Sequence, residues 1–328
     1  MWLILSLIMV EISMLGSGMN PDLGNTSFLV SEKEGPRLLV DCGFTVPRVL
    51  SEKSVMKDIE HVAITHTHSD HVGGLELLGF FKMFAPNFIS GKKPTLYIPS
   101  DQMAHTLWEN TLKGGMGFPN TGPYSFGYDG LAMDVERPMV LMGETGLEVH
   151  GRDIDNGHDL YSQVYGLDKK SMKLEDYFNI KTGRHQKING KTINFFPTPH
   201  TRGLENYGIK INTEDANVYY SGDTIALPGK LSDDLIIQDL QFPDFNADFK
   251  TGEVDPKSVN NAHATLREAT LPEYMNYVGK EQLGKTYFTH LWAEHKKPTN
   301  NPSKHGYGGF LLPGNHIRVE NHEVQLIK

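Results

Sequence analysis

The chain has 328 residues, of which 38% are hydrophobic and 22% are charged, and these proportions exclude a disordered or fibrous protein. Acidic residues outnumber basic ones by 40 to 31, which gives a net charge of −9, and there is no long run of Lys or Arg. The charge therefore provides no general attraction to a nucleic acid backbone. The single cysteine, Cys42, excludes an intrachain disulfide and fits a reducing compartment, so a cytoplasmic location is expected.

The first element is predicted from the apolar amino terminus. Glu11 interrupts the apolar run too early for a membrane span, which needs about 20 residues. The basic segment that normally opens a signal peptide is also missing from the first residues. We therefore expect a first buried strand at 8–15, a glycine-rich turn at 16–18 and no membrane contact; a cleaved or membrane-touching segment is the alternative.

Short apolar or β-branched runs recur along the rest of the chain, and each ends in a polar or glycine-rich turn, which is typical of strands. The main runs are SFLV, RLLVDCG, HVAITHTH, TLYIP, TINFFPTPH, NVYYSGDT and KTYFTHLW. Helices are predicted at 72–84, 102–112 and 266–278, and a last strand at 316–326. This mixture favours a layered α/β fold in which sheets pack on each other and helices cover the outside.

Residues from about 114 to 190 differ from the rest because they are rich in Gly, Pro, Asp and Lys. We interpret them as an insertion in one domain that spans 1–328, serving as a cap, an arm, a substrate wall or a subunit contact. Its aromatic side chains could stack on a base, although packing within the insertion is the expected use of most of them. These are Tyr124, Phe126, Tyr128, Tyr161, Tyr165 and Tyr177.

The strongest functional signal is THTHSDHVGG at 65–74, which follows an apolar run. So many titratable groups at the end of a buried strand are costly to desolvate unless a bound cation compensates them. Three later strand ends carry further ligand-type side chains, His200, Asp223 and His290. Any one of these histidines could be structural, but the set supplies enough ligands for two metal ions with open positions for water or substrate.

These residues resemble the ligand set of the metallo-β-lactamase-fold hydrolases. The motif H-x-H-x-D-H stands as His66-Thr67-His68-Ser69-Asp70-His71, and the later ligands follow in the family's order. The resemblance implies an α/β fold, the αββα sandwich, with the metals at one edge. It further implies that one ion is held by His66, His68 and His200, that the other is held by Asp70, His71 and His290, and that Asp223 bridges them.

The expected pair of metal ions indicates how a water molecule would be activated at the site. Histidine-rich ligands make zinc the first expectation, with manganese, iron and nickel as alternatives. A water shared by both ions would lose a proton near neutral pH and attack the substrate. Asp41 in LLVDCG could orient a ligand histidine or cap a turn, and Cys42 is expected to be a core residue.

The segment NNAHATLREA resembles the H-x-T segment of the transfer-RNA 3′-processing branch and of its cyclic-nucleotide-degrading, anti-Pycsar-type relatives. That resemblance implies that His263 assists a scissile phosphate; capping a helix or packing in the core is its alternative role. LIIQDLQF at 235–242 likewise resembles the strand that follows the bridging aspartate in that branch, and this resemblance implies that Asp239 is a possible partner for His263. Asp70, His263 and Asp239 are therefore the candidate catalytic residues, and phosphodiester hydrolysis is the leading reaction.

The size of the substrate is predicted from a spacing. Asp223 follows His200 by only 23 positions, which leaves no room for the tRNA-gripping arm that the tRNA enzymes carry there. A small phosphodiester such as a 3′,5′-cyclic nucleotide is therefore favoured, in a homodimer like the compact relatives. A nuclease acting on tRNA or another RNA, and a hydrolase of esters, thioesters or lactones, are the alternatives.

Overall fold

The fold is taken from a computed structural model. It describes residues 9–19, 22–32, 37–84, 92–117, 140–143, 146–149, 172–188, 190–240, 263–291, 301–320 and 322–327. The first eight residues and most of the predicted insertion lie outside these ranges, as do five of its aromatic residues, Tyr124, Phe126, Tyr128, Tyr161 and Tyr165.

The strands of the described chain are short, as the sequence runs indicate. They are β1 (Val10–Gly16), β2 (Ser27–Glu32), β3 (Arg37–Val40), β4 (Ile59–Ala63), β5 (Thr95–Ile98), β6 (Val140–Gly143), β7 (Gly146–Val149), β8 (Asn179–Thr182), β9 (His185–Ile188), β10 (Lys191–Pro197), β11 (Tyr207–Asn212), β12 (Asn217–Tyr220), β13 (Leu235–Asp239), β14 (Thr286–Thr289), β15 (Gly309–Phe310), β16 (His316–Glu320) and β17 (Glu323–Ile327).

These strands form two mixed sheets and a separate β6–β7 hairpin. The first sheet has the spatial order β17-β16-β1-β2-β3-β4-β5-β8, and the second has the order β15-β14-β13-β12-β11-β10-β9. Strands β3, β4, β5 and β8 run parallel to one another, as do β12, β13, β14 and β15. Since parallel neighbours end at the same edge of a sheet, residues that follow them come together there.

The two sheets face each other across one apolar core. Alternating burial along β1 and β10 gives each of these strands an inward face, whereas β13 is buried along its whole length, as expected of a parallel strand covered on both sides. Phe28 of β2 meets Tyr220 of β12 edge to face, with ring centroids 5.2 Å apart. Each large apolar side chain buried in this way contributes about 1.5–3 kcal/mol to stability.

Helices cover the outer faces of the sheets. They are α1 (Val46–Glu52), α2 (Ser69–Val72), α3 (Leu75–Phe84), α4 (Asp101–Leu107), α5 (Lys113–Met116), α6 (Leu174–Tyr177), α7 (Leu266–Ala269), α8 (Pro272–Val278) and α9 (Lys280–Lys285). A π-helical turn at Trp108–Leu112 joins α4 to α5, and 3₁₀ turns lie at Met56–Asp58 and Pro302–His305. Helices α1, α3 and α4 add side chains to the main core, while α7, α8 and α9 pack in a second cluster around Phe288 of β14.

The predicted helices and strands lie where they are expected but differ in their limits, and the helix expected at 266–278 is two helices, α7 and α8. The helix expected at 72–84 is α2 and α3, interrupted at Gly73 and Gly74, and the strand expected at 316–326 is the hairpin β16–β17, which turns near His322 with its φ of 64°. The strand expected at 8–15 is β1, observed from Val10. None of the described helices combines the length and the apolar character that a bilayer crossing requires.

The predicted insertion at about 114–190 ends in elements of the two main sheets. Strand β8 pairs with β5 at the edge of the first sheet, and β9 pairs with β10 in the second. Tyr177 of α6 is buried, and its hydroxyl donates a hydrogen bond to the carbonyl oxygen of Met116 at 2.7 Å. That side chain therefore packs within the fold and cannot stack on a base, while the division into one domain with an insertion stays a prediction.

Candidate metal centre

Residues that follow strands of both sheets converge at one edge of the sandwich. The H-x-H-x-D-H segment follows β4, His200 follows β10, Asp223 follows β12 and His290 follows β14. The turn before Asp223 requires a glycine, because Gly222 has φ 60° and a Cβ there would lie 2.4 Å from the carbonyl oxygen of Tyr207. His290 itself has φ 64°, a conformation that is costly for a histidine and that often marks a functional site.

The first ligand group contains His66, His68, His200 and Asp223, whose ligand atoms all lie within 4.8 Å of one another. Nδ1 of His68 is 3.1 Å from Nε2 of His66 and 3.3 Å from Nε2 of His200. Oδ2 of Asp223 is 3.6 Å from Nε2 of His66 and 3.8 Å from Nε2 of His200. Three imidazoles and one carboxylate thus face a common centre.

The second group contains Asp70, His71, Asp223 and His290. Nε2 of His71 is 3.6 Å from Oδ2 of Asp70 and 3.3 Å from Oδ1 of Asp223. Nε2 of His290 is 3.5 Å from Oδ2 of Asp70 and also 3.5 Å from Oδ2 of Asp223. Asp223 therefore belongs to both groups and presents its carboxylate between them.

The donor atoms fit divalent cations. Four ligands at about 2.0–2.2 Å from a tetrahedral zinc ion lie about 3.3–3.6 Å from one another, which is close to the separations above. Nε2 of His71 and Oδ1 of Asp223 are buried 3.3 Å apart, and neither atom makes a hydrogen bond of acceptable geometry among the described residues. Such atoms are costly in a folded protein, and a cation between them would remove the cost.

Two buried carboxylates hold ligand imidazoles from behind. Oδ2 of Asp41 lies 2.8 Å from Nδ1 of His71, and Oδ1 of Asp239 lies 3.1 Å from Nδ1 of His290. Asp41 also accepts hydrogen bonds from the backbone and the hydroxyl of Thr65, at 2.9 and 2.8 Å. Of the two roles left open for Asp41, orienting a ligand histidine is the one its contacts support.

Asp239 also contacts His263. Its Oδ2 lies 2.7 Å from Nδ1 of His263 and accepts a hydrogen bond from the backbone of Thr224 at 2.7 Å. The ring of His263 is 4.9 Å from that of His200 and 4.7 Å from that of His290, measured between centroids. His263 therefore lies directly beside the ligand cluster, held there by a carboxylate that also holds a ligand.

Mutual charge sets the protonation of the metal-free cluster. Burial alone would lower the pKa of His290, but the carboxylates of Asp223 and Asp239 outweigh it and raise that pKa to about 10. Burial would likewise lower the pKa of His71, and Asp223 and Asp70 raise it well above its ordinary value. The pKa of His66 falls well below its ordinary value, because of burial first and then the charge of His71. A cation must displace the protons that His71 and His290 retain.

All nine candidate site residues lie at this edge: His66, His68, Asp70, His71, His200, Asp223, Asp239, His263 and His290. The structure thus brings these side chains together, and the role of each stays a prediction. Cys42 is fully buried, and burial raises the pKa of its thiol, so it is unsuited to act as a nucleophile. The sequence analysis did not identify Asn206, which hydrogen-bonds to Asp223, or Thr224, which hydrogen-bonds to Asp239. Asn206 lies in ENYG, which matches no motif, whereas Thr224 could have been identified because it directly follows Asp223.

Solved structures share this architecture over nearly the whole chain. The metallo-β-lactamase-fold protein YhfI from Bacillus subtilis superposes with a TM-score of 0.57 at 15% identity, covering 95% of this chain and 99% of that one. The short form of human tRNase Z superposes with a TM-score of 0.52 at 13% identity, covering 94% and 98%. The chain thus has the metallo-β-lactamase fold, and its described residues include a His/Asp cluster that could bind metal ions.

Sequence comparison places the chain near one group within this superfamily. The family described as Anti-Pycsar protein Apyc1 matches residues 10–129. A protein of that name from Bacillus phage BSP38 is 28% identical over 293 residues, which cover 85% of this chain and 88% of the relative. Another, from Saccharibacillus brassicae, is 28% identical over 255 residues, which cover 76% and 78%.

Proposed function

We propose that this protein is a dinuclear metal-dependent phosphodiesterase that hydrolyses a small phosphodiester, and specifically a cyclic nucleotide. The observation that carries the proposal is the pair of Asp239 and His263, with Nδ1 of the imidazole 2.7 Å from the carboxylate. An imidazole held in this way beside a metal cluster can protonate a leaving alkoxide.

The ligands divide between two cations in this proposal. His66, His68 and His200 would hold one, Asp70, His71 and His290 would hold the other, and Asp223 would be shared by both. Divalent cations bound there would neutralise charge on the phosphoryl oxygens and lower the pKa of a water molecule. The set favours zinc, and manganese, iron or nickel fit the same donors.

The protein's own groups carry the proton transfers. In the reaction, a water molecule would release one proton to the solvent, and its oxygen would form a bond to phosphorus as the bond from phosphorus to the leaving oxygen breaks. Nδ1 of His263 is engaged by Asp239, so Nε2 is the nitrogen that gives its proton to the leaving oxygen, and Asp239 stabilises the charged imidazole. The carboxylate of Asp70 is 16% exposed, against 2% for that of Asp223, and from this more open position it orients the attacking water.

The form of the chain favours a small substrate. The whole interval between His200 and Asp223 is described, and it consists of the hairpin β11–β12 and its adjoining turns. This short hairpin offers no arm with which to grip a folded RNA, and the net charge of −9 disfavours a polyanion. The resemblance to proteins called Anti-Pycsar protein Apyc1, which extends over most of the chain, supports a cyclic nucleotide as the substrate.

Three further features belong to the proposal. We assign the chain to a single domain, to a homodimer like the compact cyclic-nucleotide relatives, and to the cytoplasm, where a nucleotide signal would be encountered.

A substrate panel tests the proposed function. Metal-loaded protein is incubated with cyclic mononucleotides, cyclic dinucleotides, bis-p-nitrophenyl phosphate, precursor tRNA and a lactone, with the Asp223→Ala variant as the metal-deficient control. We expect a cyclic nucleotide to be opened to a phosphomonoester by the wild type alone. Cleavage of precursor tRNA without turnover of any cyclic nucleotide would favour the ribonuclease alternative, and hydrolysis of the lactone alone would overturn phosphoryl chemistry.

A further inference from the structure

Asn206 joins the two chain segments that carry His200 and Asp223. It lies in the turn before β11, and its side chain is buried, with 4% of the residue exposed. Its Nδ2 donates to the carbonyl oxygen of Asp223 and to the hydroxyl of Thr198, both at 2.6 Å. Its backbone carbonyl also accepts a hydrogen bond from the amide of Thr198 at 3.0 Å. One residue thus contacts the bridging ligand itself and the segment two residues before His200.

The amide group can make these contacts in only one orientation. The carbonyl oxygen of Asp223 can only accept a hydrogen bond, so the NH₂ group must face it. The other amide atom, Oδ1, has no hydrogen-bond partner among the described residues. All of the side chain's hold on the two segments therefore passes through Nδ2.

We propose that Asn206 is a positioning residue that fixes the spacing between His200 and Asp223 and so sets the metal affinity of the cluster. This inference rests on the proposed dinuclear centre. The carboxylate of Asp223 lies 3.8 Å from Nε2 of His200 and 3.3 Å from Nε2 of His71, so its backbone governs the geometry of both ligand groups. Metal sites tolerate displacements of only about 0.5 Å, and loss of a residue that orients ligands typically weakens metal binding about 10- to 100-fold.

Other hydrogen bonds also hold the two segments together, which distinguishes the proposed role of Asn206 from a general role in packing. Thr224 and Ile225 also bond to the carbonyl oxygen of Pro199, at 3.0 and 3.1 Å, so the segments stay in contact when Asn206 is changed. Removing the amide should therefore misplace ligands without separating the two segments. Metal affinity should change more than the stability of the metal-free protein.

The variant Asn206→Leu removes the hydrogen bonds that Nδ2 donates to Asp223 and to the hydroxyl and carbonyl oxygens of Thr198, at similar volume and without adding charge. The matched control is Asn194→Leu on β10, where the amide oxygen lies 2.8 Å from Nδ1 of His185 and, among the described residues, neither partner belongs to the ligand cluster. Co²⁺ is titrated into each metal-free protein and followed by its visible absorbance, which reports affinity, stoichiometry and ligand geometry. Urea denaturation of the same metal-free proteins measures their stability.

We expect Asn206→Leu to bind Co²⁺ about 10- to 100-fold more weakly, with an altered spectrum, and Asn194→Leu to match the wild type. Wild-type affinity and spectrum in Asn206→Leu would overturn the inference, as would a loss of affinity shared equally by the control. Should Asn206→Leu fail to fold, Thr198→Val removes the contact with the hydroxyl, and unchanged Co²⁺ binding in that variant would also overturn it. A wild type that binds no Co²⁺ would instead refute the proposed metal centre. Because no substrate is used, an error in the proposed substrate would not change any of these measurements.

Discussion

The substitution Asp239→Asn should selectively weaken the binding of one of the two proposed cations. Oδ2 of Asp239 faces two donors, the amide of Thr224 and Nδ1 of His263, both at 2.7 Å. Oδ1 faces one, Nδ1 of His290 at 3.1 Å. The asparagine has one oxygen, which can accept, and one NH₂ group, which can only donate. The oxygen should therefore face the two donors, Thr224 and His263, and the NH₂ group should face the single donor, His290.

That imidazole would then have to move its proton to Nε2, the nitrogen that faces Asp70 and Asp223. A protonated Nε2 cannot bind a cation, so the ion held with Asp70 and His71 should bind about 10- to 100-fold more weakly, a loss of about 1.4–2.8 kcal/mol. The ion held by His66, His68 and His200 should keep its affinity. His263 should keep its hydrogen bond.

Titration of the metal-free protein with Co²⁺, read as two successive binding steps, measures this difference. The matched control is Asp234→Asn, a buried carboxylate that accepts from the backbone of Asn217 at 2.8 Å away from the ligand cluster. Two steps of wild-type affinity in Asp239→Asn would refute the reasoning, as would a weakened ion at the His66 group.

Two other predictions concern turnover and pH. His263→Ala should bind both metals as the wild type does yet lose about 10²- to 10⁴-fold in kcat, measured with the substrate found in the panel, because it lacks the proton donor; full activity with bound metal would remove the proposed role. In the metal-free protein the pKa of His290 is raised to about 10, so its protonated form stabilises the folded state. This contribution to the free energy of unfolding is fully present below the pKa of the unfolded state, about 6.5, and declines as the pH rises towards 10. Urea denaturation from pH 6.5 to 8.5 should show that decline with chelator present and lose it with metal bound, where His290 must be neutral; a flat profile in chelator contradicts the assignment.

Much of the site could be predicted because its residues follow strong local signals. The run before His66 is apolar and β-branched, so its strand was evident, and a strand end is a place where polar side chains reach the sheet edge. The same argument located His200, Asp223 and His290. The contact of Asp239 with His263 came from a resemblance, since 24 positions separate them and no periodicity joins them.

Other features depend on tertiary contacts that a sequence pattern does not contain. Asn206 could not be recognised, because its partners are a backbone carbonyl of another turn and a hydroxyl of the preceding strand end. Strands β8 and β9 were missed because most of their residues are exposed and polar, which hides the alternation that marks a strand. The hairpin β16–β17 is predicted as one strand, because the sequence there contains none of the Asn-Gly, Asp-Gly or Gly-Gly pairs that mark a tight hairpin turn.

In the proposed centre seven side chains hold two cations, and elemental analysis of the purified, metal-loaded protein tests this most directly. We expect two equivalents of divalent metal per chain in the wild type. Asp223→Ala, which removes the carboxylate common to both ligand groups, should lose most of the bound metal. A wild type without stoichiometric metal, or an Asp223→Ala variant that retains both equivalents, would contradict the claim.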